Sequence, residues 1–289
     1  MSKFKLSGGM IVFIGAALWS LNSPLVKFLS LDSVFICALR AAIAAVTLLP
    51  FLRPKKLKFN PWMILYLVSY AALCLCVVFS LKLTSAPIAI GMQYTSVVWI
   101  FIIDFIITRK FDKHLFVPIL IIMVGTVLFM CSGTDKATNL GNLVALAEGF
   151  LFMLMTISVK KASGDNPVGL VALANVFTAI AVFLIFPSSL SGFGTMTGLD
   201  WVIMIILGAV QVGGGYAFYT LGTKMTSPQK ASIIALWEMI LGPVWVAIFL
   251  REYPSPMVIA GFVVILAGIV LHTLADIKKS AELKEKSNT

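Results

Sequence analysis

The chain has 289 residues, 60% of them hydrophobic and 12% charged, with a formal net charge of +10 and a mean hydropathy of +1.02. Charge at about half the roughly 25% usual in soluble domains excludes an aqueous fold, which has no way to hide so much apolar surface. The class that remains is a polytopic membrane protein, and the basic balance is then read as marking one side of a bilayer, with no nucleic acid as partner.

Ten apolar runs of about twenty residues follow in order, near 8–29, 33–52, 61–83, 86–107, 114–132, 139–160, 166–186, 199–222, 228–250 and 256–276. A hydrocarbon core about 30 Å thick takes roughly 20 helical residues per crossing. Lipid leaves backbone amides unsatisfied, and these runs are too long and continuous for barrel strands, so each is predicted to be a transmembrane helix. The first run lacks a small-residue cleavage site and is read as a helix, not a signal peptide; its Asn22-Ser23-Pro24 is expected to break it. The second run carries Arg40, the fourth Gln93, Tyr94, Trp99 and Asp104, the sixth Glu148 and the seventh Asn175. The eighth holds Gln211, Gly213-Gly214-Gly215, Tyr216 and Tyr219, and the ninth Trp237, Glu238 and Gly242-Pro243. Pro61, Pro87, Pro167, Pro228 and Pro256 fall at helix starts, where a missing amide costs nothing. Residues 278–289 form a charged tail. Cys37, Cys74, Cys76 and Cys131 sit within or at the end of apolar runs and are read as small packing residues, so neither metal nor cofactor is expected.

With ten helices, alternate loops share a face, and 17 of the 22 basic residues then fall on one side, including Arg53 to Lys58, Arg109, Lys110, Lys113 and the tail. Lys27, Lys82, Lys136 and Arg251 fall on the other, with Arg40 inside a helix. The positive-inside rule predicts both termini in the cytoplasm.

The two halves echo each other. A shift of 133 pairs Gly8 with Gly141, Leu18 with Leu151 and Lys27 with Lys160, and a shift of 142 pairs Thr84-Ser85 with Thr226-Ser227 and Arg109 with Arg251. One further residue brings Gly125 onto Gly268. The chain therefore divides into a five-helix repeat over 1–137 and another over 138–277. Because five is odd, the second copy enters the bilayer from the opposite side: the expected fold is an all-α bundle of ten transmembrane helices as two inverted repeats, an arrangement of secondary transporters.

Ala17-Leu18-Trp19-Ser20-Leu21-Asn22-Ser23-Pro24 followed by Lys27, the Thr84-Ser85-Ala86 start of the fourth run, Thr226-Ser227, Ala235-Leu236-Trp237-Glu238, Gly242-Pro243-Val244-Trp245 and Arg251-Glu252 together resemble the drug/metabolite transporter superfamily in its ten-helix EamA branch. The resemblance spans essentially the whole chain, although Arg109-Lys110 stands where that family often has Gly-Glu. It implies export of a small organic metabolite, amino-acid-like, nucleobase-like or drug-like, across the plasma membrane.

Ionisable groups in lipid are costly, roughly 2.5 to 3.5 kcal/mol even on the lenient scales, and so point to function. Glu148 and Glu238 lie near mid-span and are expected to flank one site, as counter-charges for a cationic group or as proton carriers; a carboxyl locking two helices together is the alternative. Arg40 either meets an anionic group or snorkels to the outer surface. Asp104 is expected in an interfacial ion pair with Arg109 and Lys113. Trp19, Asn22, Gln93, Tyr94, Asn175, Gln211, Tyr216 and Trp237 are expected around the acids. Pro24, Gly214, Gly242 and Pro243 are expected where helices break or gate, Gly214 by allowing close approach.

An enzyme is not expected. A presenilin-type protease needs two deep aspartates and only Asp104 lies inside an apolar run and not at its very edge, while His114 and His272 sit at helix ends without a zinc motif. A channel or a structural or sensory membrane protein is the alternative to a transporter.

Overall fold

The computed structural model describes residues 7–57, 59–109, 113–132, 136–162, 164–223, 225, 231 and 234–288, which are helical with short connections and no strand among them. The helices are α1 (Gly8–Ser20), α2 (Asn22–Phe28), α3 (Ser33–Leu48), α4 (Pro61–Leu83), α5 (Ala86–Gln93), α6 (Ser96–Thr108), α7 (Lys113–Cys131), α8 (Lys136–Ala162), α9 (Pro167–Ile185), α10 (Gly198–Ile205), α11 (Gly215–Thr223), α12 (Trp237–Leu250) and α13 (Pro256–Asn288). Eight helical stretches are long and apolar enough to cross a membrane, and Leu115–Cys131 and Trp237–Leu250 are shorter apolar helices. The start of the ninth expected run, at Pro228, lies outside the described residues.

Helix starts are marked by chemistry that satisfies amides lipid would leave bare. Asp32 accepts from Val34 N and Phe35 N, Asn60 from Met63 N and Asn166 from Gly169 N, and Thr197 and Asp200 form a capping box. Large apolar side chains such as Ile64, Ile107, Leu184 and Val263 point outward, the surface expected of a bundle whose solvent is hydrocarbon.

Packing reproduces the repeat. α4 packs on α8 and, in the exchanged halves, the α10–α11 rod packs on α1; α3 meets its counterpart α9, and α7 meets α13. Individual contacts obey the same exchange. A Cβ built on Gly8 would stand 2.8 Å from Met225 Cβ, and one on Gly141, 133 residues on, 2.8 Å from Leu83 Cβ, 142 residues back from Met225. A Cβ on Gly125 would lie 2.6 Å from Ile265 Cγ1, and one on Gly268 would lie 2.6 Å from Ile122 Cγ1. Contacts that map onto themselves in this way are the mark of a two-fold relation. Arg109 and Arg251, paired by the register, are also the two non-glycine residues with positive φ among those described, 56° and 52°, each ending its helix in the left-handed region.

The helix breaks differ in part from expectation. Leu21 does interrupt the first span before Asn22-Ser23-Pro24, since Pro24 has no N–H to continue the ladder. The glycine run of the eighth span lies at the end of a π-helical stretch, Ile206–Gly214, between α10 and α11. Gly242-Pro243, however, does not break its helix: α12 runs through it to Leu250. The breaks in that part of the fold fall at Tyr94–Thr95, between α5 and α6, and at Leu236, just before α12. Tyr94 and Leu236 are 142 residues apart, so the same kink is built twice. At the first, the Thr95 hydroxyl donates to Met92 O at 2.7 Å, a back-bond that bends helices. The charged tail is helical, since α13 continues to Asn288; Ala281-Glu282-Leu283-Lys284-Glu285-Lys286 consists of strong helix formers.

Candidate functional site

Glu148 sits halfway along α8 and is 1% exposed. Its Oε1 has no hydrogen-bond partner, and the Ser80 hydroxyl of α4 lies alongside the carboxyl. Glu238 belongs to the same repeat, in the first turn of α12 just after the Leu236 break, and meets the Tyr94 hydroxyl of the other half at the α5–α6 break. The two kinks thus face each other near the centre of the bundle. Together the acids line one cavity with Trp19, Asn22, Gln93 and the Ser20 and Ser23 of the first span.

That cavity gives about 20 Å³ to the centre of a water molecule, room for about one water. That is too little for an organic solute.

A cationic group adjoins the acids through Asn22. Arg40 is 5% exposed in the middle of α3, and its Nη1 donates to Asn22 Oδ1 at 2.7 Å. It faces inward, so the expectation of snorkelling to the surface is not met; a helix break that turns Asn22 toward it supplies the reason. Among the described residues no carboxylate pairs with it, since the one ion pair there joins Lys27 to Glu252. Asp104 is exposed and makes no ion pair with Arg109; the Lys113 side chain lies outside the described residues.

Aromatic rings close the site on one flank. Trp19 meets Tyr216 edge-on and Tyr219 at a tilt, with ring centroids 4.9 and 4.7 Å away. Its Nε1 lacks a partner, and so does the Oε1 of Gln211, whose Nε2 donates to Trp19 O at 3.4 Å. A buried donor on Trp19 and buried acceptors on Gln211 and Glu148 therefore go unmet, and Trp19 and Glu148 line the cavity while Gln211 is bonded to Trp19 behind it. Such atoms cost about 1–3 kcal/mol each when nothing answers them, which makes them places for a ligand or water to bond.

Other expected residues do not join this cluster. Trp237 is 45% exposed and packs edge-on against Phe13, because one step along a helix turns a side chain about 100° and Glu238 takes the inward face. Asn175 is spent on structure, donating to Tyr70 Oη at 3.0 Å and Val171 O at 2.9 Å. Gly214 is not the tightest of its run: a Cβ there meets Leu18 Cδ1 at 3.2 Å, whereas one at Gly213 meets Thr47 Cγ2 at 2.8 Å and one at Gly215 would overlap the Trp19 ring. Close approach therefore belongs to Gly213 and Gly215. Pro24 is buried at the start of α2, and Gly242 packs against Ile90 and the Ser23 hydroxyl, which line the cavity, without breaking its helix. Sequence reading missed Ser20, whose hydroxyl accepts from Trp245 Nε1 at 2.9 Å and ties α12 to α1.

The repeat register separates scaffold from site. Glu148 corresponds to Gly15 and Glu238 to Ser96, so the same fold position in the other half needs no acid.

Residues 6–131 and 139–274 each match the model of the EamA-like transporter family. No curated protein matches the chain. Among solved structures, a crystal structure of a protein aligns with a TM-score of 0.62 over 92% of this chain and 97% of that one, at 16% identity, a likeness of fold.

Proposed function

The chain belongs to the EamA-like transporter family, and from that premise we propose that it exports a small organic zwitterion by alternating exposure of the central cavity. The fold in this reading is a bundle of ten membrane helices in two inverted repeats, in the plasma membrane, with both termini cytoplasmic. One observation carries it: two acids of the second repeat line one cavity with Trp19, Asn22 and Gln93 of the first, and that Asn22 is bonded to a buried Arg40 with which no described carboxylate pairs. An ammonium group then pairs with Glu148 or Glu238 while a carboxylate takes the paired donors of the guanidinium. Trp19, Tyr216 and Tyr219 offer ring faces to the body of the solute, and to its cationic end. Glu148 is also the group placed to carry a proton when the ammonium is absent. A cavity with room for about one water argues against a standing pore.

Counterflow in proteoliposomes tests the substrate class. Neutral α-amino acids are expected to drive exchange and to raise the melting temperature, while matched amines and carboxylates lacking one charge do neither. Equal transport of the singly charged compounds removes the zwitterion from this reading and leaves a carrier. Single-channel currents in a planar bilayer would replace the carrier with a channel.

The orientation is tested separately. In a variant whose four native cysteines are replaced, Ser287→Cys is expected to react with an impermeant maleimide only after the cells are permeabilised. Labelling in intact cells reverses the assignment.

A further inference from the structure

We infer that Lys27 and Glu252 form a one-sided latch that closes the bundle at the face away from the basic loops and so sets the resting bias of the carrier. Lys27 Nζ lies 2.9 Å from Glu252 Oε1 and also donates to Thr84 O at 3.0 Å. Lys27 ends α2 in the first repeat, whereas Glu252 follows the left-handed Arg251 that ends α12 in the second. The ion pair therefore spans the seam along which the halves must part. A second strut lies beside it, where Lys82 Nζ donates to Leu29 O and holds α4 to the end of α2. The Lys27 ammonium is largely covered, with its side chain 12% exposed, so salt screens this pair less than an open surface pair.

The counterpart of the latch is absent from the sequence. The shift of 133 carries Lys27 to Lys160, and the shift of 142 carries Glu252 back to Lys110. Where one face of the repeat has opposite charges, the register puts two like charges at the other. Attraction on the Lys27 side, with no opposite-charge counterpart in the register on the other, makes the two closed forms of an otherwise exchange-symmetric scaffold unequal in energy. The result is a carrier that rests shut at the Lys27 end and readier to open at the end near Arg53 and Lys56. That suits loading from the side carrying the basic loops.

This inference rests on the alternating-access reading, so the experiment separates the two. In a cysteine-free background, Ser85→Cys, beside Thr84, reports on the latched end and Thr220→Cys, which lines the cavity with Arg53 and Lys56, reports on the other. Maleimide labelling rates are measured in detergent, where both ends are reachable and no substrate is needed, on samples shown to be monodisperse. Lys27→Met and Glu252→Gln are each expected to speed labelling at Ser85→Cys about fivefold and slow it at Thr220→Cys, the shift expected for a bond worth about 1 kcal/mol. The double variant Lys27→Glu/Glu252→Lys restores both rates. Lys110→Glu, which gives the register opposite charges at 110 and 160, is expected to shift the reporters in the same sense as Lys27→Met. Unchanged rates in Lys27→Met and Glu252→Gln overturn the latch, and if Lys110→Glu still moves the reporters in opposite senses, alternation survives that loss. Reporters that speed up together in every variant overturn alternation, and the latch with it.

Discussion

Glu148→Gln is expected to abolish substrate-driven flux while leaving a folded, monodisperse protein with a melting temperature close to wild type. The structural reason is that Glu148 Oε1 has no partner within the protein, so replacing it by an amide of the same shape takes no internal bond away, and the Ser80 hydroxyl retains an acceptor. What is lost, in the function proposed above, is the charge that would meet the ligand. A hydrogen bond to a charged group contributes about 1.5–3 kcal/mol, which sets the expected loss of affinity at roughly 10- to 100-fold. Glutamine also mimics the protonated acid, so any dependence of flux on pH that comes from this residue should flatten. Binding and flux against pH, measured side by side, decide the matter. Wild-type affinity with an unchanged pH profile would reduce Glu148 to a helix lock.

Arg40→Met should produce the second large effect, again roughly a 10- to 100-fold loss of affinity for a zwitterionic solute, with no comparable change for an amine lacking the carboxylate. Buried charges replaced by apolar groups of similar volume are often tolerated or even stabilising, so the fold should survive, although Asn22 Oδ1 loses its donor at 2.7 Å. Arg40→Lys should not rescue binding, because an ammonium lacks the two parallel donors a carboxylate accepts. Titration calorimetry on Arg40→Met and Asn22→Ala separates the roles. If Asn22→Ala destabilises the protein and both variants bind substrate normally, Arg40 is an internal brace and the carboxylate binds elsewhere.

The repeat and the acids were legible for different reasons. Gly8 with Gly141 and Gly125 with Gly268 were readable as a register, since helices that cross at backbone contact tolerate no Cβ and so preserve glycine in both copies. Glu148 was readable because a carboxyl in hydrocarbon is costly wherever it points. The expectation of an inverted arrangement rests on that register, whereas the tie to the EamA-like family rests on the match of residues 6–131 and 139–274 to its model.

Direction around a helix was not legible. Trp237 and Glu238 are neighbours in sequence, and only the packing of α12 against α1 and α5 shows that the acid faces the cavity while the indole faces Phe13. The kink at Tyr94–Thr95 escaped notice because a Thr–Ser pair inside an apolar run reads as ordinary helix, whereas Gly242-Pro243 looked like a break and is not one. A proline lacks an N–H in any helix, but whether the ladder bends there depends on what presses on the far side.

What the sequence determined by itself was the solvent of this protein, its helical class, the length of its spans and the two-fold register of its halves. A bilayer fixes all of these through hydrophobicity and length alone. Tertiary structure decided which polar atoms of those spans converge: Glu148 with Glu238 in one cavity, Arg40 on Asn22, and Trp19 and Gln211 left with unmet bonding groups. The physical reason is that convergence depends on the rotation of each helix and the place of each kink, which are set by contacts between segments more than a hundred residues apart.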